Sequence, residues 1–190
     1  MPPVTQSLII ANVAVFLLQL AGGMPLVEWF ALWPGSNFMP WQLVTYAFLH
    51  GGITHIFFNM FGLYMFGSDI ERLFGSRFYL YYYFAAVVAA ALCHIGVTYL
   101  FGLEAIPTVG ASGGIYGLLL AFGWYFPTRR VVLLIPPIPM SARTFVIVFG
   151  ALELFFGVTG TMSGVAHFAH LGGMLGGWIM IELRRRRFFR

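Results

Sequence analysis

Six apolar stretches separated by polar links run along the chain, and each is close to the length that crosses a bilayer. A membrane-spanning helix needs about 20 mostly apolar residues, within a range of roughly 17 to 25. The stretches cover about 6–22, 52–68, 78–101, 111–126, 144–160 and 164–183. This pattern predicts an all-α polytopic membrane protein. Residues 1–190 are predicted to form a single six-helix transmembrane domain whose last residues, 184–190, are a short basic tail.

The link between the first two apolar stretches, about 23–51, is the longest and contains three prolines and three tryptophans. Tryptophan favours the headgroup level of a membrane, so we expect this link to lie in the interface. The first stretch has no basic segment before it and no convincing cleavage site after it. We therefore expect a retained membrane helix there rather than a removable signal peptide.

The composition argues against a soluble protein. Hydrophobic residues make up 60% of the chain and charged residues only 8%, against about 25% charged residues in an average soluble domain. So few charges could not cover the surface of a soluble fold of this length. Cys93 is the single cysteine, which excludes disulfides within the chain and cysteine-ligated metal clusters.

The basic residues predict the orientation in the membrane. All of them are arginine: Arg72, Arg77, Arg129, Arg130, Arg143, Arg184, Arg185, Arg186, Arg187 and Arg190. With six spans they share one side, and the positive-inside rule predicts that this side, with both termini, is cytoplasmic. The other side has only the acidic residues Glu28 and Glu104. We expect the arginine tail to act mainly as a stop-transfer anchor, with contact to anionic lipids as the alternative.

Polar residues interrupt three of the apolar stretches, and polar groups at membrane depth usually mark function. His55 and Asn59 are four residues apart near the start of span 2, so they share one helix face. Ser112 opens span 4, and His170 lies in the first part of span 6. In the predicted topology all three spans descend from the outer side, so one shallow, water-accessible cavity could contain these side chains.

The residue types in this cavity fit nucleophilic catalysis. A serine hydroxyl needs a neighbouring base, most often histidine, to take its proton. Attack on a carbonyl then builds an oxyanion that needs prepositioned donors. Ser112 at a helix start offers free backbone N–H groups, and His55 and Asn59 add side-chain donors from a facing helix.

Glycine pairs explain how spans 4 and 6 could approach closely. Gly113 and Gly117 form one small-xxx-small pair, and Gly173 and Gly177 form a second on nearly the same face as His170. Ser112 and His170 could then come within hydrogen-bond reach. Tyr116, one turn after Ser112, could lie against the imidazole and hold its orientation.

Three motifs resemble the rhomboid family of intramembrane serine proteases across nearly the entire chain: Gly110-Ala111-Ser112-Gly113, Ala169-His170-x-x-Gly173-x-x-x-Gly177, and His55-x-x-x-Asn59 with His50 five residues earlier. The resemblance implies a Ser112–His170 catalytic dyad. It also implies that His55, Asn59 and the backbone N–H of Ser112 bind the oxyanion, and that Tyr116 stacks beneath His170. Glu71-x-x-x-Gly75 is implied to be a structural element.

The same resemblance implies the reaction and the partners. It predicts cleavage of transmembrane segments of other membrane proteins near the outer face, with access by movement of span 5 and of a capping loop. The expected partners are transmembrane substrates and membrane lipids, with no nucleic acid, cofactor or metal.

Many relatives carry Trp-Arg in the first link where this chain has Trp41-Gln42, which weakens inferences about hydrogen bonds inside that link. The chain resembles the minimal form without an appended soluble domain, and the absence of lysine favours a bacterial inner membrane.

Several alternatives stay open. A catalytically silent rhomboid-like protein that binds and escorts transmembrane helices is the main alternative function, and a small transporter is a third. His167 and His170 have the spacing of a metal motif, but we expect no acidic or cysteine partner at their depth and therefore no metal site. Glu153, midway along span 5, could be the third member of a catalytic triad, but a structural hydrogen bond or a role in the gate is the favoured interpretation.

Overall fold

A computed structural model describes residues 1–22, 25–133, 136–161 and 166–188 of the chain. The described elements are, in chain order, α1 (Pro3–Ala21), α2 (Leu26–Phe30), α3 (Gln42–Thr45), a 3₁₀ turn (Tyr46–Phe48), α4 (Ile53–Gly62), a π-helical turn (Leu63–Gly67), α5 (Ser68–Phe74), α6 (Ser76–Phe101), α7 (Ser112–Tyr125), β1 (Arg130–Val132), β2 (Pro139–Ser141), α8 (Ala142–Thr159) and α9 (His167–Phe188). The chain is therefore mostly helical, as the apolar pattern predicts.

A helix lies on each of the six predicted stretches, although residues 164 and 165, where the sixth was predicted to begin, fall outside the described residues. Among the described helices, α1, α6 and α8 are long and apolar enough to cross a membrane. These helices indicate an integral membrane protein. α7 has only 14 residues, and the second apolar stretch is divided between α4, the π-helical turn and α5. The count of six spans therefore stays a prediction.

Two helical stretches extend further at their C-terminal ends than predicted. The second stretch continues as α5 to Phe74, where an Asp69–Arg72 ion pair of 3.0 Å supports the polar last turn. α9 continues through most of the predicted basic tail to Phe188, and Arg185 pairs with Glu182 at 2.7 Å. Arginine is a good helix former, so the end of an apolar run is not the end of its helix.

The link between α7 and α8 contains an element that the apolar pattern does not predict. β1 and β2 form an antiparallel hairpin in which Arg130 pairs with Ser141 and Val132 with Pro139. Pro139, the first residue of β2, has no backbone N–H to donate. A two-stranded sheet has only edge strands, however, so the missing N–H of Pro139 is tolerated there. The Ser141 side chain also caps α8 by accepting a hydrogen bond from the Thr144 N–H at 3.1 Å.

α6, α7 and α9 pack closely through small residues and form the centre of the bundle. A Cβ atom on Gly117 would lie 2.5 Å from that of Ala86 on α6, and one on Gly173 would overlap the Gly113 carbonyl oxygen on α7. Such small residues allow helix backbones to approach in lipid. The Tyr82 hydroxyl, which is fully buried, donates to the Gly117 carbonyl at 2.7 Å, so this centre contains satisfied polar groups.

Three arginine-bearing segments meet at one end of the bundle, opposite the Ser112 end of α7. Arg129, in the link after α7, contacts Asp69 of α5 at 2.7 Å. The Arg184 guanidinium near the end of α9 lies 4.6 Å from the ring centre of Phe74. The structure therefore groups the basic segments at one end as the topology requires, while their cytoplasmic location stays a prediction.

The link after α1 is stabilised by hydrogen bonds of Gln42, which stands where many members of the resembled family carry arginine. Gln42 is buried, and its Oε1 accepts from the N–H groups of Trp33 and Met39 at 3.2 Å each. Its Nε2 donates to the carbonyls of Trp29 and Asn37 at 3.4 Å each. A neutral amide therefore supplies both the donors and the acceptor that this link needs.

Glu71 ties the start of α1 to the α5–α6 junction. Its Oε1 accepts from Val4 N–H at 2.9 Å and Ser76 Oγ at 2.7 Å. Its Oε2 accepts from the N–H and the hydroxyl of Thr5, both at 2.7 Å. Burial raises the pKa of this carboxyl, but the hydrogen bonds from Ser76, Thr5 and Val4 outweigh burial and hold the pKa below its usual range.

Replacing Glu71 with glutamine should lower the free energy of unfolding by about 1–3 kcal/mol for each donor left without an acceptor. Because the folded-state pKa is depressed, the stabilisation by Glu71 is present above the unfolded pKa of about 4.3 and lost as the pH falls through the folded value. Thermal unfolding in detergent micelles from pH 7 to pH 3 should therefore show a difference between wild type and Glu71→Gln that shrinks on acidification. Glu28→Gln, at an exposed position, is the matched control. A difference that is independent of pH would contradict this role of the carboxylate.

Candidate active site

Ser112 and His170 lie in contact at the starts of two adjacent helices. Ser112 is the first residue of α7, and its Oγ is 2.8 Å from His170 Nε2 on α9. The helices come this close because Gly173, less than one turn after His170, packs directly on the backbone of Gly113. A hydroxyl and an imidazole nitrogen at this distance have the geometry of a nucleophile and its base.

Tyr116 fixes the plane of the imidazole. Its ring stacks on that of His170 with a centroid separation of 4.2 Å and an interplanar angle of 6°. Its hydroxyl donates a hydrogen bond to Glu153 Oε1. Because Tyr116 lies one turn after Ser112 on α7, the same helix positions the hydroxyl and the stacking ring.

Glu153 of α8 also belongs to this group of side chains. Its carboxylate is buried, with Oε2 2.6 Å from His167 Nδ1 and Oε1 2.9 Å from His170 Nδ1. The prediction that no acidic residue lies at the depth of these histidines was wrong. Glu153 is eleven residues after Ala142 at the start of α8, or about 16 Å along the helix, which brings it to the level of the first turn of α9.

The three residues Glu153, His167 and His170 are also the donors that a metal ion could use, with one ligand atom of each within 4.8 Å of the others. Two histidines and a carboxylate match by type the ligands of some zinc enzymes. In this structure, however, the Glu153 oxygens accept from Tyr116 and contact the two histidines, while His170 Nε2 faces Ser112. The expectation that the protein uses no metal stays a prediction.

His55 presents a donor toward the Ser112 side of the cavity. Its Nδ1 accepts from the Gly51 N–H at 3.2 Å, so its Nε2 bears the hydrogen in the neutral ring. This Nε2 faces Gly110, where a Cβ atom would lie 2.8 Å from it and 3.7 Å from Ser112 Oγ. Gly110 also has φ +125°, so glycine is required there both by backbone conformation and by space.

Asn59 lies one turn below His55 and lines the same groove as Ser112. One N–H of its Nδ2 donates to the His55 carbonyl at 2.9 Å, which leaves the second N–H of the amide for another acceptor. The backbone N–H of Ser112 is also outside the intrahelical ladder, because Ser112 is the first residue of α7. The cavity therefore contains three donors of the kind that stabilise an oxyanion.

An apolar groove of about 400 Å³ extends from Ser112 between α4 and α8. Most of its lining consists of large apolar side chains, among them Phe58, Met65, Phe66, Leu119, Val132 and Phe149. Ser112, Asn59 and Tyr116 are the residues in this lining that carry polar side-chain groups. The groove can accept an apolar chain segment and present one polar group of it to Ser112.

Comparison with known proteins gives consistent matches. Residues 37–187 match the family described as Rhomboid domain. The chain is 32% identical over 138 residues to rhomboid protease GluP of Bacillus subtilis (strain 168), covering 73% of this chain and 25% of the relative. It is 28% identical over 154 residues to the mitochondrial Rhomboid protein 1 of Saccharomyces cerevisiae, covering 77% and 44%. It is 26% identical over 183 residues to rhomboid protease GlpG of Yersinia pestis (strain Pestoides F), covering 94% and 61%. The chain thus spans between a quarter and about three-fifths of the length of these curated relatives.

Proposed function

Because the chain belongs to the rhomboid family, we propose that it is an intramembrane serine endopeptidase that uses Ser112 and His170 as a catalytic dyad. The observation that carries this proposal is the 2.8 Å contact between Ser112 Oγ and His170 Nε2 at the starts of two adjacent helices. Two of the relatives named above are described as proteases, which supports the reaction class. A helix-binding protein without catalysis would not need this contact.

The proposed reaction has two steps. His170 Nε2 takes the proton of Ser112 while Oγ attacks the carbonyl carbon of the scissile peptide, and His170 then gives this proton to the departing amine. The product of this step is an acyl-enzyme on Ser112. In the second step His170 activates a water that attacks the ester, which releases the new carboxylate and restores the serine.

The oxyanion of each step is proposed to receive hydrogen bonds from three groups. These are the backbone N–H of Ser112, Nε2 of His55 and Nδ2 of Asn59, which approach the same cavity from α7 and α4. Donors that are fixed before the reaction lower the barrier most, because they need no reorganisation when the charge develops. The Gly51 contact that sets the tautomer of His55 is therefore part of the proposed oxyanion site.

The groove between α4 and α8 is proposed to bind transmembrane segments of other membrane proteins. Its apolar lining suits a segment that arrives from lipid, and Ser112 lies in its wall. In the proposed orientation both termini are cytoplasmic, and Ser112 lies toward the outer face of a bacterial inner membrane. Cleavage would then occur near the outer end of the substrate segment.

A fluorophosphonate probe tests the assignment of the nucleophile. We expect the purified protein in lipid vesicles to react at Ser112, located by mass spectrometry of the labelled peptide, and to cleave a tagged single-span substrate. The probe needs an activated serine, so the exposed Ser7 on α1 should stay unlabelled. Labelling of another serine while Ser112 stays unmodified would overturn the proposal.

A further inference from the structure

We infer that Glu153 is a positioning residue that holds His170, the base of the proposed Ser112–His170 dyad, through its Nδ1. The inference rests on the proposed function, which by itself requires only Ser112 and His170. It assigns a role to a carboxylate from a third helix, α8, that contacts the base on the side opposite Ser112.

The two nitrogens of His170 face two different groups. Nε2 is 2.8 Å from Ser112 Oγ, and Nδ1 is 2.9 Å from Glu153 Oε1. The Nδ1 contact is at hydrogen-bond distance, but its direction does not meet hydrogen-bond geometry in this resting structure. Such alignment often improves only when substrate is bound. The order hydroxyl, imidazole, carboxylate is the one that serine triads use on unrelated folds.

Other contacts hold the Glu153 carboxylate in place. The Tyr116 hydroxyl donates to Oε1, and His167 Nδ1 lies 2.6 Å from Oε2. Only 8% of Glu153 is exposed, and a buried carboxylate persists where its oxygens are paired. With one oxygen engaged by His167 and the other shared by Tyr116 and His170, the side chain has little freedom to turn away.

A carboxylate at Nδ1 has two consequences for a histidine base. It accepts the Nδ1–H, which leaves the lone pair on Nε2 free to take the serine proton, and it stabilises the imidazolium that forms. The stacked Tyr116 ring restricts tilting of the imidazole but selects neither tautomer. Glu153 therefore selects the tautomer of His170, which the stacking contact with Tyr116 does not do.

Replacing Glu153 with glutamine should lower kcat by about 10²–10⁴-fold with KM unchanged, because in the Ser-His-Asp template the acid-to-amide change costs about 10⁴ through the wrong tautomer. Turnover is measured on a tagged single-span substrate and expressed per active site, counted by fluorophosphonate labelling at saturation. Glu153→Asp, which keeps the charge, should recover part of the loss. Glu28→Gln, the same chemical change at an exposed position, should cleave as wild type does. Wild-type kcat in Glu153→Gln would overturn the positioning role.

A spectroscopic measurement separates this role from a purely structural one. Side-chain ¹⁵N NMR should show His170 of the wild type as the Nδ1–H tautomer and a shift toward the Nε2–H tautomer in Glu153→Gln, with the signals assigned by their loss in His170→Asn. The same tautomer in both proteins would overturn the inference. This result does not depend on cleavage, so failure of the proposed function, with no cleavage and no labelling of Ser112, is distinguishable from failure of the positioning role of Glu153.

Treatment with a metal chelator tests whether the same residues bind a metal ion instead. Cleavage should be unaffected by EDTA if Glu153, His167 and His170 contact one another directly, as described above, without a metal ion. Loss of cleavage in EDTA that Zn²⁺ restores would make these residues metal ligands and would overturn the positioning role of Glu153.

Discussion

Replacing Ser112 with alanine is expected to reduce cleavage of a single-span substrate by at least about 10³-fold, because the nucleophile is lost while the fold is retained. His170→Asn should have an effect of similar size. The double variant should be no slower than either single one, since residues that act as a unit show strongly non-additive losses. Appearance of the cleaved product in lipid vesicles, normalised to the folded protein, measures all three.

Ser7→Ala is the matched control for the serine substitution, because Ser7 is exposed on α1 and is not among the residues that line the groove beside Ser112. It should cleave at the wild-type rate. Thermal unfolding of each variant checks that loss of cleavage is not loss of structure. If Ser112→Ala cleaves as wild type does, or if the losses of Ser112→Ala and His170→Asn multiply in the double variant, the two residues do not form a dyad.

The second large effect is expected from a single methyl group at Gly173. A Cβ atom there would overlap the Gly113 carbonyl oxygen, and a backbone atom cannot move aside as the end of a flexible side chain can. Overpacking a dense interior typically costs about 1–3 kcal/mol and occasionally more, and we place Gly173→Ala at or above the upper end. Because α7 and α9 must separate to accept the methyl group, the variant should also lengthen the Ser112–His170 contact and lower cleavage.

Gly96→Ala provides the comparison for this substitution. Gly96 is also inside a long helix, α6, but a Cβ atom there would meet nothing within 4 Å. Alanine is favoured over glycine in a helix by about 1 kcal/mol, so Gly96→Ala should leave the unfolding temperature unchanged or raise it. Gly173→Ala and Gly96→Ala are compared by thermal unfolding and by cleavage in the same detergent. Equal behaviour of the two variants would show that the α7–α9 contact tolerates a methyl group.

Much of the fold follows from the apolar pattern, since helices occur on each of the predicted stretches. The position of Ser112 beside His170 could be anticipated because both lie near the beginnings of helices that are predicted to descend from the same side. The surroundings of Glu153 could not be anticipated in the same way. α8 runs in the opposite direction, so its depth relative to α9 depends on the length and shape of the links between helices, which hydropathy does not report.

Two other features could not be predicted from the sequence, and the reasons are again physical. The β1–β2 hairpin depends on pairing across a turn, and its short strands carry no alternating pattern of their own. The four hydrogen bonds of Gln42 depend on how the first link folds back on itself. Hydrogen bonds between a side chain and the backbone of its own loop can be identified only when the path of that loop is known.

The shortness of α7 has a consequence for the surrounding lipid. Its 14 residues reach only about 21 Å, whereas the hydrocarbon core of a typical bilayer is about 30 Å thick. In the six-span topology Ser112 therefore begins its helix below the level of the headgroups, and the depth of this recess depends on how far the bilayer thins around the protein. Membrane thickness would then control how readily the water of the proposed hydrolysis reaches the serine.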